Sequence, residues 1–227
     1  GEIVNNERYK VLASLEKEFA ERTMSVTGFQ WSLIGQMAIV TILLGLLALF
    51  IYMNQTRLFN DPRPITLSLS LVTLGFDMSA IAYSSNAVSM YIIPIGIAPL
   101  LLRMFFDFRV SIFSFLILIL MVALFSSNPL EYILVQMSAI SFATLYQSSS
   151  VKRSRMLGTA MLVFLGYSVI YMAISVAQNG SMNGIITANF GWFAINGLLC
   201  MMVFPLIYVV EKVFGYTSET TLLELSD

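Results

Sequence analysis

The chain has 227 residues, 58% of them hydrophobic and only 11% charged, with a formal net charge of -1. A soluble domain carries charge on roughly a quarter of its residues, so this composition excludes an ordinary soluble enzyme, and the near-zero balance offers no footprint for nucleic acid. The sequence contains no histidine, which removes the commonest general base, and its single cysteine, Cys200, can form no intrachain disulfide and reads as a small packing residue.

In chain order, residues 1–30 come first, mixed in charge. Tyr9, Leu12, Leu15 and Phe19 recur at helical spacing opposite Glu7, Lys10, Glu16 and Lys17. This pattern predicts a surface helix, either the stump of an extracytoplasmic domain or a helix resting on the outer leaflet. No signal-peptide pattern precedes the first apolar run.

A transmembrane helix needs about 20 mostly apolar residues. Seven runs meet or approach this length: 31–53, 65–84, 90–106, 110–125, 132–147, 156–177 and 186–210. Turn chemistry separates them at Asn60-Asp61-Pro62-Arg63-Pro64, Ser126-Ser127-Asn128-Pro129 and Asn179-Gly180-Ser181. The expectation is an all-α integral membrane bundle of seven helices over 31–210, followed by a linker over 211–227. Arg57 and Arg63, Arg103 and Arg109, and Lys152, Arg153 and Arg155 fall in alternate loops. By the positive-inside rule this puts the N-terminus outside and the C-terminus in the cytoplasm.

Ionisable groups are costly in hydrocarbon and default to functional candidates. Counted inward at 1.5 Å per residue, Asp77 lies about 12 Å from the outer face, Asn196 and Tyr167 about 15 Å, Tyr171 about 9 Å and Gln36 about 8 Å. These five residues could line one outer-half pocket for a small-molecule or lipid ligand. The plainer reading is that Asp77 hydrogen-bonds to Asn196 or a tyrosine and glues helices together. Gly75 and Ser79 flank Asp77 at small-xxx-small spacing. Pro205 in the last run removes a backbone hydrogen bond and predicts a kink, as do Pro94 and Pro99 in the third. Beyond Pro205, Glu211 lies at the boundary, Gly215 can terminate the helix, and Leu222, Leu223 and Leu225 form an apolar stripe among acidic residues.

That ending, "MMVFPLIYVVEKVFGYTSETTLLELSD", together with the span count and the N-terminal "GEIVNNERYKVLASL", resembles the membrane region of the 7TM-HD family, bacterial receptors with an intracellular HD phosphohydrolase domain. Pro205, Glu211, Phe214 and the run 222–227 are similar to the stretch that leads into the family's catalytic domain. The resemblance implies a location in the bacterial cytoplasmic membrane and a signalling role, as sensor and anchor for a hydrolase of cyclic di-AMP. It also implies an extracytoplasmic domain and an HD domain as partners in the same polypeptide, and leaves room for a homodimer. The two metal ions of such a hydrolase would belong to the HD domain, so no cofactor and no catalysis are expected of these 227 residues. A small secondary transporter or channel using Asp77 is the alternative. A retinal protein is excluded, since run 186–210 has no lysine.

Overall fold

The computed structural model describes residues 9, 11–15, 26–54, 63–85, 89–147, 153–180 and 185–215. Two compact units, Gly1–Ile42 and Leu43–Asp227, meet within the first long helix. In the first unit, residues 11–15 are helical, and so is the start of α1 (Val26–Asn54). Trp31, Ile34 and Met37 are exposed there, as expected for a helix whose surroundings are lipid.

The second unit continues α1 and adds α2 (Arg63–Ser85), a 3₁₀ turn (Met90–Ile92), α3 (Ile97–Phe105), α4 (Phe108–Ala123), α5 (Pro129–Tyr146), α6 (Arg153–Asn179), α7 (Ala188–Cys200) and α8 (Val203–Phe214). No strand occurs among the described residues. Four segments, Trp31–Asn54, Arg63–Ser84, Leu157–Gln178 and Ala188–Phe214, are long and apolar enough to cross a membrane, and the helices over Met90–Phe105 and Phe108–Ala123 are shorter and apolar. The chain is therefore a multi-pass, all-α membrane bundle. All seven expected runs contain helix, and two of them are interrupted, the third at Ile93–Gly96 and the last at Met201 and Met202.

The same chemistry produces both interruptions. A proline has no N–H for the carbonyl four residues before it, and its ring crowds that carbonyl. Pro99 is the third residue of α3 and Pro205 the third of α8, so each helix restarts two residues ahead of its proline. In the last span the Met201 carbonyl, which Pro205 cannot reach, accepts instead from the Phe204 N–H at 3.2 Å. The bend therefore lies three to four residues before the proline.

The short α3 is the hub of the unit and packs on α2, α4, α5, α7 and α8. Ala98, Pro99, Leu100, Leu101, Leu102 and Met104 are all buried. Around it, helices approach closely where side chains are missing, the usual way that membrane helices gain packing without a hydrophobic drive. A Cβ on Gly166 of α6 would sit 2.9 Å from the Ala139 Cα of α5, and one on Gly197 of α7 would sit 2.8 Å from the Ala160 carbonyl oxygen of α6.

These contacts are backbone contacts and cannot yield as a side-chain tip would. Gly197→Ala should therefore cost about 1–3 kcal/mol and lower the unfolding midpoint in detergent. Gly191→Ala, on the same helix with open space at its Cβ, should leave the midpoint unchanged or raise it through better helix propensity.

Candidate sensing site

The broken third span creates a problem that the bundle must solve. Backbone carbonyls released from a helix inside hydrocarbon have no water to bond, and each one left alone costs several kcal/mol. One side chain from another segment meets this need at two carbonyls, and two more side chains bond carbonyls inside α3 itself. The Asn196 amide on α7 donates to the Tyr91 carbonyl at 2.8 Å and to the Ile93 carbonyl at 3.0 Å. Ser111 Oγ on α4 donates to the Pro99 carbonyl at 2.6 Å, and Gln147 Nε2, at the end of α5, to the Leu100 carbonyl at 3.4 Å. The Cys200 thiol, one turn after Asn196, donates to Asn196 Oδ1 at 3.6 Å. Cys200 is buried, and packing describes its place with this one addition.

Beside this clamp lies an aromatic cluster at the end of the spans away from the basic residues. Phe193, fully buried on α7, contacts the rings of Tyr91 (5.3 Å), Tyr167 (5.4 Å), Tyr171 (5.4 Å) and Phe190 (5.9 Å). The edge-to-face geometry of most of these pairs is the one that ring quadrupoles favour. Tyr132 joins through Tyr91 at 5.8 Å. The polar tips then find partners across helices. The Tyr167 hydroxyl donates to Gln136 Oε1 on α5, and the Tyr171 hydroxyl accepts from the Ile186 N–H at 3.2 Å. The Tyr91 hydroxyl donates to Glu131 Oε1 at 2.9 Å, and Asn128 Nδ2 holds the other carboxylate oxygen at 2.9 Å. Two polar atoms in this interior, Tyr132 Oη and Gln136 Nε2, are buried beside one another without a hydrogen bond of regular geometry.

The structure thus brings Tyr167, Tyr171 and Asn196 into one cluster with Tyr91, Glu131, Tyr132, Gln136 and Phe193. Asp77 is exposed on α2. Gly75 and Ser79 face inward: Ser79 is fully buried, and a Cβ on Gly75 would sit 3.0 Å from Leu118 of α4. Two residues along a helix turn the side chain by about 200°, so Asp77 lies on the opposite side from both neighbours. Gln36 is exposed on α1, in the first unit. Pro205 is exposed, Glu211 and Phe214 are half-buried, and Gly215 ends α8 in the left-handed conformation (φ 68°, ψ 29°), its N–H bonded to the Glu211 carbonyl at 3.0 Å. Leu222, Leu223 and Leu225 lie outside the described residues. Reading depth along runs one, two, six and seven missed Tyr91, Glu131, Tyr132 and Gln136. The signal that could have found them is a glutamine in mid-run and a glutamate at a span entrance.

Among the described residues no group of three or more His, Cys, Asp or Glu stands together to hold a metal. The sequence also contains no histidine.

Replacing the amide that serves two carbonyls should be felt strongly. Asn196→Leu is expected to cost about 1–2 kcal/mol, read as a lower unfolding midpoint in detergent. Asn196→Asp, which keeps the size but presents no donor as a carboxylate, should be no better.

Against known proteins, the model of a family described as "7TM receptor with intracellular HD hydrolase" matches residues 30–218. No curated protein and no solved structure matches the chain. The match takes in all seven apolar runs and the exit of the last helix, and the chain belongs to the family of seven-transmembrane receptors with an intracellular HD hydrolase.

Proposed function

We propose that this chain is the sensory and anchoring membrane module of a cyclic-di-AMP phosphodiesterase receptor in the bacterial cytoplasmic membrane. Its last span relays an extracytoplasmic or lipid signal to a cytoplasmic HD hydrolase. The observation that carries this reading is the division of the last span into α7 and α8 at Met201 and Met202. α7 is fastened to the core by Asn196, whereas α8 follows a proline-induced break and ends at Gly215. A change in the aromatic cluster around Phe193 can therefore tilt α8 about the break without unfolding the bundle, since the break already lacks regular helical bonding.

The direction of the relay follows from charge. Arg63 opens α2, Arg103 closes α3, Arg109 lies in the first turn of α4, Arg153 opens α6 and Lys212 lies in the last turn of α8. In an alternating bundle these positions share one membrane face, which the positive-inside rule makes cytoplasmic. The Tyr91–Glu131–Tyr171 region then lies toward the outside, where a small polar or amphipathic ligand could reach the Glu131 carboxylate. Hydrolysis itself, with metal ions activating water on a phosphodiester, belongs to the HD domain and not to any residue of this chain.

The test is to join the chain through Asp227 to an HD hydrolase domain and measure cyclic-di-AMP turnover in vesicles. Pro205→Ala should restore regular helix through the break and change the rate by about twofold or more while the protein stays folded. Equal rates for the two proteins would contradict transmission through the last span.

A further inference from the structure

A cavity of about 540 Å³ opens between α2 and α8 and is floored by α3, all within the second unit. Its walls are almost wholly apolar, with Leu67 and Leu74 on one side, Leu101 on the floor, and Met202, Leu206 and Phe214 on the other. The one hydroxyl in the lining, that of Ser70, is already used, donating to the Leu67 carbonyl at 2.9 Å. A groove of this character cannot hold water or a polar ligand with any advantage, and in a membrane its surroundings are acyl chains.

Its length and its ends narrow the occupant further. The lining on α2 runs from Leu67 to Met78, about 16 Å of helix at 1.5 Å per residue. One leaflet of a hydrocarbon core is about 15 Å thick. The groove therefore spans the depth of a single leaflet, the one on the basic side. At that end Arg63, the first residue of α2, reaches toward the end of α8: its Nη1 lies 3.7 Å from where a Cβ of Gly215 would stand. Arg63 keeps its own interaction within the protein, and a guanidinium with five N–H donors can hold a phosphate oxygen as well.

We propose that this groove is a binding site for an anionic phospholipid of the basic-side leaflet, one acyl chain lying between α2 and α8 and the headgroup phosphate at Arg63. The site is distinct from the aromatic cluster and does not depend on signal transmission. An acyl chain completes the wall that α2 and α8 leave open above α3, and the Arg63 guanidinium selects an anionic headgroup over a zwitterionic one.

The test uses the 227-residue chain, incubated with vesicles of equal phosphatidylglycerol and phosphatidylcholine of the same chain composition, extracted, and examined by native mass spectrometry. Wild type should retain one phosphatidylglycerol, preferred by about fivefold for the cation at the headgroup. Val209→Trp and Leu74→Trp, which fill the groove from opposite walls, should each lower retention at least fivefold, roughly the value of one such contact. Val169→Trp, at an exposed position on α6 outside the groove, should retain lipid as wild type does. Arg63→Gln should erase the headgroup preference. The proposal is overturned if the groove-filling variants retain lipid as well as Val169→Trp, or if wild type holds the two lipids equally.

Discussion

A single side-chain amide carries the architecture of this bundle. Asn196 gives both of its amide hydrogens to carbonyls of the interrupted third span, Tyr91 and Ile93, in a medium that offers irregular backbone no water to bond. The interruption in turn lets α3 begin deep in the bundle as a short, fully packed helix touching five others. Ser111 and Gln147 complete the arrangement from α4 and α5. Each of these polar side chains is buried, and each donates to a backbone carbonyl. Their arrangement serves the main chain before it serves any ligand.

The consequence for function is a coupling between two broken spans. Asn196 stands on α7, immediately before the break that frees α8, so the element it fixes to the third span is the fixed arm of the last one. The aromatic cluster packs against this same fixed arm through Phe193, and it reaches the opposite end of the membrane from Gly215. The last span is thereby divided into an arm bonded to the third span and an arm beyond the break. The interior of low dielectric strengthens the hydrogen bonds that hold the first arm, while the proline lowers the cost of bending at the junction.

Much of the fold was legible because its signals are collective. Seven apolar runs, alternate basic loops and the turn residues between them each average over many positions, and a few misread residues do not alter them. The Pro205 bend was legible in kind and offset in place, because a proline disrupts the carbonyl four residues earlier and not its own position. Site residues depend on rotation about a helix, which depth alone does not supply. Asp77 illustrates this: Gly75 and Ser79 already mark the packed face of α2, and a residue midway between them must point away. Tyr167, Tyr171 and Asn196, likewise read from depth, lie on packed faces and are buried, where Asp77 is not. Tyr91 and Gln136 were hidden, one in a 3₁₀ turn outside any regular period and the other within a run whose apolar neighbours dominate its average.

The most direct measurement of this account is isotope-edited infrared spectroscopy of the chain in lipid, with ¹³C=¹⁸O labels placed singly at the Tyr91 and Ile93 carbonyls. Both should absorb at lower frequency in the wild type than in Asn196→Leu, because a carbonyl that accepts a hydrogen bond from the last span loses that bond in the variant. Identical frequencies in the two proteins would contradict the clamp, and with it the linkage between the third span and the last.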